Sequence, residues 1–211
     1  MKKELETSIP KISKQLNLKT ISNPFNQDNV SRSTESILEK FEDKDFLIAA
    51  GRLAPVKGFD LLIDAFKNLC KQNENLHLII LGEGSERAFL QEKINILGLT
   101  NKVFLPGYVN NVYPYFKNAI GCVLSSRLEG FPNVLLQMMS QNTTVVATLS
   151  AGDIENIPGL ITCPPNDTMA LTNQIEKALK SNTAGNRRLF DSFLSTRTQL
   201  AFHQNVLNAL N

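Results

Sequence analysis

The sequence has only two histidines, His77 and His203, one inside an apolar run and the other in the tail. Its three cysteines, Cys70, Cys122 and Cys163, are just as scattered. No grouping of His, Cys or carboxylates has metal-ligand spacing, so a metalloenzyme finds no support. An odd cysteine number, with Cys70 and Cys122 in apolar stretches, favours reduced core thiols over disulfides and fits a cytosolic compartment. Ser125 and Ser126 lack the G-x-S-x-G elbow of a serine hydrolase. Charge is nearly balanced: 22 basic and 20 acidic side chains leave a net +2, too little to argue for nucleic acid or an acidic surface. No apolar run could span a bilayer, and the N-terminal MKKELETSIPKIS has lysines without the apolar core of a secretory signal. Internal repeats and low-complexity tracts are missing too.

What remains is an ordinary globular composition, 42% hydrophobic and 20% charged over 211 residues, enough for one substantial core. Residues 1–44 are polar and broken by Pro10 and Pro24. From Asp45 onward the texture changes. Phe46 to Ala50, Leu76 to Leu81, Val103 to Leu105, Ile120 to Leu124 and Thr144 to Ala147 are short, continuous apolar runs. Such runs belong to strands buried on both faces, as in a parallel sheet. Helical stripes alternate with them: Phe59, Leu62, Phe66 and Leu69; then Phe89, Leu90, Ile94 and Leu97; then Val134, Leu135 and Met138; then Leu171, Ile175 and Leu179. The alternation predicts an α/β fold, an open doubly wound parallel sheet with right-handed crossovers. In the tail, Phe193, Leu200 and Leu207 recur every seven residues and predict one amphipathic helix over 183–211, either capping this domain or crossing to another.

In doubly wound sheets ligands bind beyond the carboxyl ends of the strands. The first apolar run is followed by Gly51-Arg52-Leu53-Ala54-Pro55-Val56-Lys57-Gly58, two cations framed by glycines. A forked guanidinium and a mobile ammonium could close over a diphosphate, and a solvated basic loop is the plainer alternative. The fourth run is followed by Ser125 to Asn133 and then the Val134 stripe, a strand, a Gly/Pro turn and a helix N-terminus. Free amides there suit phosphate or sugar hydroxyls. Glu129 enters the same cleft as an acceptor for hydroxyls, or caps its own turn. Gly82-Glu83-Gly84 follows the second run, but position 87, where a dinucleotide fingerprint needs its third glycine, is Arg87. Gly107-Tyr108 follows the third run, and for Tyr108 packing is favoured over base stacking.

Taken in order, these segments resemble the retaining group 1 glycosyltransferases of GT-B fold, specifically their C-terminal, donor-binding half. The resemblance runs from about Ile21 to Leu179. It rests on Ser22-Asn23-Pro24-Phe25, the Gly51 to Gly58 loop, Gly82-Glu83-Gly84, Gly107-Tyr108-Val109, Glu129-Gly130-Phe131-Pro132-Asn133, Val145-Val146-Ala147-Thr148, Gly152 with Glu155, and Gly159-Leu160-Ile161 before Pro164-Pro165.

The resemblance implies a single Rossmann-like half-domain over 23–182, preceded by a linker or remnant (1–22) and followed by the C-terminal helix (183–211). It implies catalytic roles for Arg52, Lys57 and Glu129: the cations neutralise the donor diphosphate, which makes the site independent of metal and of any cofactor. Gly51, Gly82, Tyr108, Glu129, Gly130, Phe131, Pro132, Asn133 and Val134 would complete the donor site. Gln137 occupies the position, eight beyond Glu129, where the family usually has a second Glu on the ribose hydroxyls. An amide there keeps hydrogen bonding and loses a charge. The expected donor is a nucleotide-sugar, a UDP-sugar by resemblance, and the expected acceptor a polysaccharide or glycolipid. Family members carry an N-terminal acceptor domain of comparable size that this chain is expected to lack, so alone it should fold without transferring sugar. The expected location is the cytoplasm, with membrane association only through that other half. Two rivals stand beside this: a non-catalytic sugar-nucleotide-binding or partner-binding module, and a GT-B nucleotide-sugar epimerase, whose acid/base groups are not found.

Overall fold

The computed structural model describes residues 23–25, 41 and 43–210. The expected linker over 1–22, and Ser22 of the Ser22-to-Phe25 motif, lie outside the described residues. Six strands form one sheet: β1 (Phe46–Ala50), β2 (His77–Leu81), β3 (Val103–Gly107), β4 (Gly121–Leu124), β5 (Val145–Thr148) and β6 (Ile161–Cys163). Their order is β3-β2-β1-β4-β5-β6, with every pairing parallel. The helices are α1 (Phe59–Leu69), α2 (Arg87–Ile96), α3 (Tyr113–Asn118), α4 (Asn133–Gln141), α5 (Thr168–Lys180), α6 (Asn186–Ser195) and α7 (Gln199–Leu210). This is the Rossmann-like, doubly wound arrangement expected.

The continuous apolar runs work because each central strand feeds two cores. Leu47 and Ala49 of β1, Leu78 and Ile80 of β2, and Val123 of β4 face a layer built from Leu62 and Phe66 of α1, Leu90 and Ile94 of α2, and Leu171 and Ile175 of α5. The alternate residues Phe46, Ile48, Ile79, Cys122 and Leu124 face Phe116 of α3, Leu135 and Met138 of α4, and Phe190 of α6. Burying such a side chain contributes roughly 1.5–3 kcal/mol. Phe25 and Phe41 join the second layer, so the polar lead-in contributes apolar anchors to the core. At the far end Asp167 caps α5 by accepting from the Ala170 amide at 2.8 Å.

Three features depart from the sequence reading. The edge strand β6 was not among the apolar runs. Strand β3 continues through Pro106 to Gly107, which an edge strand tolerates because one side of its ladder is unpaired. And the tail read as one long helix divides into α6 and α7. At the end of α6 the Ser195 and Thr196 hydroxyls bond back to the Ser192 and Phe193 carbonyls, each at 2.7 Å, competing with the helical ladder. Phe193 packs on the second core layer, while Leu200 and Leu207 on α7 are 77% and 56% exposed.

Candidate functional site

Strand order reverses between β1 and β4, and a parallel sheet opens a crevice at that point. The two loops singled out in the sequence are those that leave β1 and β4. Their close approach has a visible requirement. Gly58 ends a 3-10 turn (Pro55–Lys57) in the left-handed region, with φ 63°, and a Cβ there would lie 2.2 Å from the Ser125 carbonyl oxygen. The loops are then stitched together. The Ser125 hydroxyl donates to the Lys57 carbonyl at 2.9 Å, and the Arg127 amide donates to the Val56 carbonyl at 2.7 Å. The Arg127 guanidinium donates to the Pro55 carbonyl at 2.6 Å and grips both Asp60 oxygens, at 2.8 and 2.7 Å. Burial pushes the Asp60 carboxyl up, but Arg127 and the amides opening α1 outweigh this and hold it below its ordinary value.

Lys57 and Glu129, the expected cation and sugar acceptor, meet directly. Lys57 Nζ donates to Glu129 Oε1 at 2.5 Å, and their side chains are only 19% and 14% exposed. The same carboxylate oxygen accepts from the Ser126 hydroxyl at 2.7 Å. Glu129 therefore braces its own turn as well as facing the cleft. Its amide donates to the Ser150 carbonyl at 2.8 Å, tying the β4 loop to the loop after β5. A cavity of about 440 Å³ opens between these loops, lined by Leu128, Glu129, Gly130 and residues 149–152.

The remaining expected residues divide. Arg52 is exposed, and among the described residues none pairs with its guanidinium. Gly51 lies against the Lys57 side chain: a Cβ on it would stand 3.6 Å from Lys57 Cε. Gly82 has φ 130°, and a Cβ there would fall 2.0 Å from the Gly51 carbonyl oxygen, so its smallness lets the β2 loop pack on the β1 loop. Tyr108 is 75% exposed, where packing had been favoured. Gly130 is exposed, Phe131 half-buried and Pro132 buried as the cap of α4. The first turn of α4 has neither an acidic side chain nor a side-chain cap. Asn133 accepts from Asn23 at 3.0 Å, and Val134 is half-buried. Gln137, one turn further, is half-buried, and its side-chain amide has no hydrogen bond among the described residues.

The sequence reading missed Arg127, Asp60, Ser150 and Thr148, whose hydroxyl donates to the Ser126 carbonyl at 2.5 Å. They act through contacts between segments far apart in sequence, to backbone carbonyls or, for Asp60, to the Arg127 guanidinium, and such contacts leave no local pattern. Cys70, Cys122 and Cys163 are free and buried, and burial pushes each thiol up, Cys163 to about 11. Among the described residues no three His, Cys, Asp or Glu gather as a metal site, and no helix is long and apolar enough to cross a membrane.

A family profile described as "Glycosyl transferases group 1" matches residues 31–190. An uncharacterized glycosyltransferase of Methanocaldococcus jannaschii is 36% identical over 151 residues, covering 69% of this chain and 36% of that protein. The Campylobacter jejuni N-acetylgalactosamine-N,N'-diacetylbacillosaminyl-diphospho-undecaprenol 4-alpha-N-acetylgalactosaminyltransferase is 29% identical over 192 residues, covering 84% of this chain and 52% of that enzyme. The chain thus spans between a third and about half of the length of these relatives. Among solved structures, Anabaena HepE in complex with UDP and glucose superposes with a TM-score of 0.75 at 22% identity, covering 91% of this chain and 56% of that one.

Proposed function

Since this chain belongs to the group 1 glycosyltransferases, we propose that it is the donor-binding domain of a retaining, metal-independent transferase that uses a UDP-sugar. The observation that carries the reading is the crevice at the β1/β4 reversal, where the β1 loop brings Lys57 against Glu129 and presents an exposed Arg52. In the reaction the bond from the anomeric carbon to the diphosphate breaks, its electron pair leaving with the diphosphate oxygen, while an acceptor hydroxyl oxygen bonds to that carbon and its proton passes to the departing diphosphate. Arg52 and Lys57 stabilise that growing negative charge, and the opening turn of α4 adds amides and a helix dipole. Glu129 accepts a hydroxyl of the sugar. Gln137, one turn into α4, meets the ribose diol through its free amide. The UDP and glucose bound by Anabaena HepE support the donor class.

The acceptor, a polysaccharide or glycolipid, is held by a second domain, and the Campylobacter relative supports a lipid-linked glycan. Transfer needs both substrates in attack geometry with water excluded, so a donor-binding domain by itself turns over no donor. Gln137 in place of a carboxylate favours one second reading, a nucleotide-sugar-binding module without catalysis.

Calorimetric titration with UDP tests the site. Charged hydrogen bonds to phosphate contribute about 1.5–3 kcal/mol each, so Arg52→Ala and Lys57→Ala should each weaken binding roughly tenfold or more. Unchanged affinity in both refutes the assignment.

A further inference from the structure

We infer that Arg197 is a positioning residue for the loop running from Glu129 into α4, clamping the Phe131 ring. It lies between α6 and α7, far in sequence from that loop, and is 8% exposed. Its guanidinium carbon stands 4.3 Å from the centre of the Phe131 ring and 4.7 Å from that of Phe193, so the cation is held between two aromatic rings. Among the described residues its buried Nη1 has no hydrogen-bond partner. An orphaned N–H in a buried cation is costly, and a methionine of similar reach would fill the space without that cost. Stability alone therefore does not call for arginine here. What the guanidinium adds is a flat charged surface that grips Phe131.

The backbone around Arg197 extends the clamp. Its carbonyl accepts from the Phe25 amide at 2.6 Å, and two residues before Phe25 the Asn23 side chain donates to Asn133 at 3.0 Å. Residues 23–25 and 197 thus converge on Phe131 and Asn133, the two residues flanking Pro132, the cap of α4. At its other end the loop is pinned by Glu129, through Ser150 and Lys57. The clamp fixes where the opening amides of α4 point. Its consequence for ligand rests on the donor-binding reading above; its mechanical part does not.

The test compares the parent chain with Arg197→Met, the milder Arg197→Lys, and Phe131→Leu, which breaks the contact from the other side. Amide hydrogen exchange without ligand is the first readout, UDP affinity by calorimetry the second. Arg197→Met and Phe131→Leu should each speed exchange at residues 135–137, where the hydrogen-bonded amides of α4 begin with Leu135 donating to the Pro132 carbonyl, by about tenfold or more while β1 and β2 amides keep their protection. Both should weaken UDP about threefold or more, with Arg197→Lys in between. Unchanged exchange at 135–137 overturns the inference, as does an increase spread evenly over the sheet, the mark of a merely structural residue. Faster local exchange with unaltered UDP affinity also overturns it. A parent chain that binds no UDP refutes the donor-binding reading instead, and the exchange data still decide whether Arg197 holds the loop.

Discussion

Replacing Glu129 by glutamine should tighten binding of a bare diphosphate while loosening the hold on an attached sugar. In the ligand-free chain Lys57 is not a waiting cation. It is paired at 2.5 Å with Glu129, and both side chains are mostly shielded from water. A phosphate that takes Lys57 must displace this partner. Exposed ion pairs contribute about 0–1 kcal/mol and hydrogen bonds to charged groups about 1.5–3, so a partly buried pair of this kind is worth about 1–1.5 kcal/mol. Glutamine keeps the shape and can still accept from Ser126, but it removes the competing charge. Pyrophosphate affinity should therefore rise roughly fivefold to tenfold. A UDP-sugar gains less from its sugar moiety, because a neutral amide accepts a hydroxyl about half as strongly as a carboxylate. The assay is calorimetry with pyrophosphate, UDP and a UDP-sugar on parent and variant, with circular dichroism to confirm an intact fold. In a Lys57→Met background the Glu129→Gln gain should vanish, since the two changes act on one interaction. Unchanged or weaker pyrophosphate binding by Glu129→Gln would refute the competition argument.

Two further outcomes follow from the same geometry. Gln137→Glu should tighten UDP by up to about 1.5 kcal/mol through a charge-assisted bond to the ribose, and should leave pyrophosphate alone; equal shifts for both ligands would mean that the side chain acts only as bulk charge. The Asp60–Arg127 clamp should be acid-sensitive, because the Asp60 carboxyl sits below its ordinary value of 3.8 in the folded chain. Its contribution is fully present above that value and is lost as pH falls through the lower, folded one. The melting-temperature gap between parent and Asp60→Asn should therefore hold steady from pH 7 to 5 and shrink below pH 4; a gap independent of pH would refute the assigned ionisation.

The parts legible in the sequence were those where one residue type answers to one local demand. Strands β1 and β4, and β2 from Leu78 to Leu81, are buried along their length because both faces are covered, so continuous apolar runs marked them. Strand β6 is short, partly exposed and at the sheet edge, where that demand lapses. The spacing of Phe193, Leu200 and Leu207 passed unbroken through the α6–α7 junction, because the stop is set by Ser195 and Thr196 hydroxyls that an apolar pattern does not register. The site divides the same way. The loops after β1 and β4 were legible because a parallel sheet dictates where ligands can bind, and that rule needs only strand positions. The connections among their side chains were not. Lys57 and Glu129 are 72 positions apart, Arg127 and Asp60 67, and no spacing rule joins residues at such distances. Arg197 is the extreme case. Nothing in Ser195-Thr196-Arg197-Thr198 hints that its guanidinium is buried against Phe131, for that follows only once the six parallel strands have brought the α6–α7 junction to the β4 loop. The cations and the carboxylate could be named singly from their loops; that they hold one another in place is a property of the sheet, and it is this mutual hold that a ligand must break.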